Sequence, residues 1–188
     1  MSGHDKCERD RMADDSKALR STWVRSLLER HEGPLVRYAA RITGDAERAR
    51  DVVQEVFLRL CGEDPATLDG HVTAWLYTAC RNRAVDVRRK ERRMNSLGDQ
   101  TLVIDERAGV SPPELAESRE SSGAILRLLS SLSANQQEVI RLRFQGGLSY
   151  REISAITDLS VSNVGFLIHT AIKTIREKLG AGEGESTE

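Results

Sequence analysis

Aromatic side chains are scarce in this chain: two Trp, three Tyr and three Phe among 188 residues. A buried core must then be built mainly from Leu, Val, Ile and Ala, a set that suits helices. No window alternates polar and apolar residues long enough to build a sheet. No apolar run approaches the roughly 20 residues of a membrane span, so membrane insertion is not expected. Residues 1–15 are polar and charged, unlike a secretion signal. The cysteines Cys7, Cys61 and Cys80 are odd in number and widely spaced, which predicts reduced thiols and a cytoplasmic protein. Cys80 lies in an apolar stretch and reads as a small core residue. His4, His31, His71 and His169 form no ligand cluster, so no metal is expected. There is no Gly-rich phosphate loop, no paired His–carboxylate spacing and no nucleophile elbow. Neither an enzyme, a cofactor nor a small-molecule substrate is therefore expected.

A net charge of one sign is lacking too: 28 basic and 29 acidic residues leave −1. The balance hides segregation. From Arg81 to Arg93 seven basic and two acidic residues give +5, whereas Asp99 to Glu120 carries six acidic and two basic, or −4. The last nine residues carry only Glu charges. Such asymmetry suggests a phosphate-facing patch beside acidic, solvated connectors.

What is present is helical periodicity. Trp23, Leu27 and Leu28 begin it, Gly33-Pro34 interrupts it, and Leu35, Val36, Ala39 and Ile42 resume it. Asp45 is a plausible cap for a strongly amphipathic helix to Leu60. Ala49, Val52, Val53, Val56, Phe57 and Leu60 lie on one side of it, and Asp51, Gln54, Glu55 and Arg59 on the other. After a loop, a longer helix runs from about His71 to Arg93, apolar in its first half and basic in its second. Ser111-Pro-Pro-Glu114 and Ser133-x-x-Gln136 are capping boxes. Gly146-Gly147 reads as a helix stop. The expected fold is all-α: two small helical domains joined by a flexible acidic linker. The boundaries are a disordered tail over 1–17, a first domain over 18–95, a linker over 96–110, a second domain over 111–180 and a disordered acidic tail over 181–188.

The second domain contains a helix-turn-helix. Ser149 and Glu152 form a capping box for a short helix, Thr157-Asp158-Leu159 breaks it, and Ser160 can cap the next. Val161, Val164, Ile168, Ala171, Ile175 and Leu179 then make one inward stripe. Ser162, Asn163, Phe166, His169, Thr170 and Lys173 face outward, where a major groove would lie. Arg151, Lys173 and Arg176 could anchor phosphates. In the first domain, Arg81, Arg88, Arg89, Arg92 and Arg93 can track phosphates. Trp75, Tyr77 and Asn82 beside them offer an aromatic surface and an amide for bases. The bland alternatives are a core Trp75, a solvated arginine face and a solvated acidic face on the helix ending at Leu60.

Read together, residues 18–179 resemble the extracytoplasmic-function class of bacterial RNA polymerase sigma factors. Asp51-Val-Val-Gln-Glu-Val-Phe57 resembles the family's D-x-V-Q-E-x-F motif, which docks on the polymerase core. Ala74 to Asp86 resembles its W-L-x-x-I-A-x-N-x-x-x-D segment, which helps melt and read the −10 element. Gly147 to Val164 resembles the region that reads the −35 element. The resemblance implies core binding by Asp51, Gln54, Glu55 and Phe57. It implies −10 contacts by Trp75, Tyr77, Arg81, Asn82, Arg83, Arg88, Arg89, Arg92 and Arg93, with Asn82 at a pocket for a flipped base. It implies −35 contacts by Arg151, Ser160, Ser162, Asn163, Phe166, His169 and Lys173. The implied partners are the RNA polymerase core and promoter DNA, with an anti-sigma protein as a further candidate.

The chain departs from the family in one respect. Recognition helices there usually carry several Arg or Lys, whereas Asp158 to Ile172 contains none. Two other readings therefore stay open: a helix-turn-helix regulator acting without polymerase, and a module that binds only protein.

Overall fold

In the computed structural model, residues 4–96 and 128–182 are described, with side chains over 18–94 and 128–179. Every regular element among them is helical. The long first helix, α1 (His4–Thr43), packs on α2 (Ala46–Leu60) and α3 (Val72–Ser96). Residues 1–17 were expected to be a tail, yet the helix already begins at His4. Residues 4–17 hold no Gly or Pro and contain Ala, Lys, Glu, Arg and Met, all good helix formers. Nor does Gly33-Pro34 interrupt α1, which runs through Pro34. A proline inside a helix costs about 3 kcal/mol or more. Here Leu27 before it and Leu35, Tyr38 and Ala39 after it are buried, and each buried large apolar side chain returns about 1.5–3 kcal/mol.

Gly44 ends α1 at φ +77, its N–H reaching back to the Ala40 carbonyl. Asp45 then caps α2 by accepting from the Arg48 N–H at 2.8 Å. The apolar side of α2 is buried as its periodicity predicts: Ala49, Val52, Val53, Val56, Phe57 and Leu60. A 3₁₀ turn (Pro65–Leu68), capped by Asp64, inserts Leu68 into the core. In α3 the first half supplies Leu76, Tyr77, Ala79, Cys80 and Ala84 to that core. Burial pushes the Cys80 thiol up to about 12, which suits an inert packing residue.

The C-terminal half comprises α4 (Ala134–Phe144), α5 (Tyr150–Thr157) and α6 (Val161–Gly182), after a helical end at Leu128–Ser130. Both described capping boxes form: Ser133 with Gln136, and Ser149 with Glu152. The box at Ser111–Glu114, the linker beyond Ser96 and the tail beyond Gly182 lie outside the described residues. Gly147, at φ +66, turns the chain out of α4, and the Leu148 N–H bonds the Leu142 carbonyl.

The α5–α6 pair meets at a bend of 105°, within the range for helix-turn-helix units. Asp158 makes the turn in the left-handed region, φ 60, which a short polar side chain tolerates. Ser154 Oγ donates to the Leu159 carbonyl at 2.6 Å and pins it. Among the described residues no single helix is long and apolar enough to cross a membrane.

The α6 stripe is narrower than its spacing suggests. Val164, Ile168 and Ala171 are buried, but Val161 is 44% and Leu179 52% exposed. Both lie towards the ends of α6. Thr170 does not face outward: its Oγ accepts from Gln136 Nε2 of α4 at 3.1 Å.

Candidate nucleic-acid interface

The exposed side of α3 gathers several of the residues expected to meet the −10 element. Asn82, Arg89 and Arg93 are seven and four residues apart, so they share one helix side, and all three are exposed, with Arg92 beside them. Arg88 is half-buried. The acidic Glu91 pairs with Arg48 of α2, while exposed Asp86 lies on the same side between Asn82 and Arg89.

Trp75 is half-buried against the core, and the Arg59 guanidinium of α2 lies 5.9 Å from its ring centroid. Periodicity gave Arg59 only a place on the polar side of α2, with no sign of this contact. Glu55 is engaged as well. It takes the Nε of Arg83, and Arg83 Nη2 at 2.7 Å, in a two-bond fork between α2 and α3. The hydrogen bond from Arg83 holds the Glu55 carboxyl below its usual range.

The expected polymerase-facing residues therefore divide. Asp51 and Gln54 are exposed. Glu55 serves the α2–α3 junction. Phe57 is only 6% exposed and belongs to the core, because it falls on the same helix side as Val53 and Leu60. Leu58 is 68% exposed beside the polar residues; a lone leucine off the apolar stripe was the available signal.

On the C-terminal half, Ser160, Ser162, Asn163, Phe166 and His169 are brought together at the exposed start of α6. Ser160 Oγ accepts from the Asn163 N–H at 3.2 Å, so it is committed to capping. Arg151 on α5 is exposed, and Lys173 lies 3.8 Å from Glu177. Tyr150 packs over Gly165 and carries the Arg143 guanidinium 5.5 Å from its ring centroid. That guanidinium also donates to the Leu148 carbonyl at 2.9 Å. It is a cation close to the recognition helix that sequence spacing did not single out.

Two residues expected at the −10 element are covered by the C-terminal half. Tyr77 is 1% exposed. It meets the Tyr38 ring edge-on at 5.3 Å and lies close against Gly146. Arg81 Nε donates to Glu138 Oε1 at 2.9 Å. Burial opposes the charge of Arg81, but the Glu138 carboxylate more than offsets it and the guanidinium pKa is raised. Tyr38 donates to the same oxygen at 2.8 Å. Local periodicity could not reveal these contacts, which join residues 57 and 100 apart.

Comparison with known proteins places both halves in one class. The Sigma-70 region 2 family model matches residues 27–94, and the Sigma-70 region 4 model matches residues 122–175. The ECF RNA polymerase sigma factor SigL of Mycobacterium tuberculosis is 32% identical over 167 residues, covering 85% of this chain and 90% of that protein. SigM of Bacillus subtilis is 23% identical, covering 85% of this chain and 96% of the relative. The fold is similar to the sigma factor RpoE of Bartonella quintana, solved with the anti-sigma factor NepR (TM-score 0.61, 22% identity, 85% of this chain and 97% of the other). It is also similar to CnrH, solved with the cytosolic domain of CnrY (TM-score 0.53, 23% identity, 90% and 95%). The chain belongs to the extracytoplasmic-function family of RNA polymerase sigma factors.

Proposed function

We propose that this chain joins the RNA polymerase core through the polar side of α2, reads and opens the promoter near −10 with α3, and reads the −35 element with the start of α6. The observation that carries the reading is the exposed line of Asn82, Arg89 and Arg93 on α3, backed by a helix whose Asp51 and Gln54 are free to meet a partner. Arginines supply phosphate affinity without sequence information, and an amide can discriminate a base edge. At −35, Asn163 is suited to a base edge and Phe166 to a thymine methyl, with Arg151 and Lys173 on phosphates. The chain works in the cytoplasm as a specificity subunit, and the polymerase supplies the chemistry. An anti-sigma protein is a further proposed partner, supported by the complex in which the RpoE relative was solved.

Run-off transcription with core polymerase on a promoter library tests the proposal. Transcription should depend on the chain and on sequence at both elements. Output that ignores the −35 sequence would leave α5 and α6 as a protein-binding unit, a role that exposed Phe166 also suits. Absence of transcription, together with tight duplex binding by the free chain, would favour a regulator acting without polymerase.

A further inference from the structure

Resting on that reading, we propose that Glu138 latches the two halves of the free chain into a closed form that masks Arg81 and Tyr77, and that this latch must open before promoter DNA can use that surface. Glu138 lies on α4. Its Oε1 accepts from Tyr38 Oη of α1 at 2.8 Å and from Arg81 Nε of α3 at 2.9 Å. Asp158, in the turn before α6, adds a second negative charge near Arg81. A Cβ on Gly146 would stand 3.1 Å from Tyr77 Cε2, so the backbone of the C-terminal half presses directly on the aromatic ring. An Arg81 so held offers that Nε to no phosphate, and a Tyr77 so covered offers no ring face to a base.

The same contact contains its own opposition. The Tyr77 hydroxyl is buried without a hydrogen-bond partner among the described residues, which penalises closure. Arg41 of α1 and Arg141 of α4 both donate to Gln137 Oε1, at 3.4 and 3.0 Å. Burial, and then the nearby Arg41 charge, push the Arg141 guanidinium down to about 10. Two like charges drawn to one acceptor, and one orphaned hydroxyl, set against a carboxylate with two donors, make a contact poised for release. Where only the open fraction is competent, apparent affinity falls by that fraction.

The test compares the full-length free chain with its Glu138→Gln and Glu138→Ala variants by small-angle scattering, with helicity as a check on folding. Both variants should enlarge the radius of gyration while helicity is kept. Losing a charge-assisted bond of this kind should shift the open-to-closed ratio on the order of tenfold. Adding Tyr77→Phe to Glu138→Gln should restore part of the closed population, because the orphaned oxygen is gone. In run-off transcription with core polymerase at limiting chain, Glu138→Ala should raise output several-fold over wild type. An unchanged radius of gyration in both variants overturns the latch. An enlarged radius without increased output overturns the masking. Wild-type chain that supports no transcription at any concentration refutes the sigma-factor role instead, and the scattering result still decides the latch.

Discussion

Single residues set how finely this surface can discriminate. Asn82 is exposed on the same side of α3 as Asp86, Arg89 and Arg93, and an amide to a base edge carries about 1–3 kcal/mol of discrimination. Asn82→Ala should therefore change preference at one −10 position, whereas Arg89→Ala with Arg92→Ala should weaken all promoters alike. Titrating both variants on single-base promoter substitutions separates the two, and uniform losses for Asn82→Ala would make it a backbone contact. Gly165 allows a second prediction. A Cβ there would meet only the Tyr150 ring, at 3.6 and 3.8 Å, an ordinary contact. Gly165→Ala should then stabilise α6 by about 0.5–1 kcal/mol, measured by denaturant unfolding. Gly146 differs: its Cβ would fall 2.7 Å from the Leu142 carbonyl oxygen, so the same substitution there should destabilise.

At the level of elements, α2 is the clearest case of a helix legible before folding. The six positions that its period sets on the apolar side are its six buried ones, and Leu58, off that side, is exposed. The period assigns a side, but it does not say which polar groups are already spoken for. Glu55 looked as available as Asp51 until Arg83 of α3 reached it. Phe57 carried the family motif and the core at once, and packing claimed it. Asp51→Ala with Gln54→Ala should hence impair core-polymerase pull-down at normal helicity. Phe57→Ala should cost about 3–5 kcal/mol of stability. The helix-turn-helix was legible from its caps, because Ser149 and Glu152 satisfy each other locally. Hydrogen bonds from the Ser149 side chain and backbone hold the Glu152 carboxyl below its usual range. A lowered folded pKa adds stability above the unfolded value of about 4.3, lost as pH falls through the folded value. Glu152→Gln, which can still close the box, should remove that acid sensitivity, seen as a flatter dependence of unfolding midpoint on pH below about 5.

The whole molecule was the least legible scale. Two helical units and their order followed from periodicity and caps, but their mutual contact rests on Tyr38, Arg81 and Glu138, far apart in sequence. With net charge −1, no Lys or Arg from Asp158 to Ile172 and Arg81 paired, the free chain should bind duplex DNA weakly. A Kd of roughly 10⁻⁴–10⁻⁶ M with a steep salt slope is expected, and tight sequence-specific binding without polymerase would contradict it. Arg48–Glu91, Glu55–Arg83 and Arg59–Trp75 tie α2 to α3 at three places along their length. The helix proposed to grip the polymerase and the helix proposed to touch the strand are thereby tied into one lever. Over the 25 residues of α3, roughly 37 Å, a tilt of about 3° where α2 is seated would move the basic tip by roughly 2 Å. A shift that size breaks a hydrogen bond. With α2 seated on the polymerase as proposed, the position of the melted strand would be set at that contact, at the far end of the lever from the DNA.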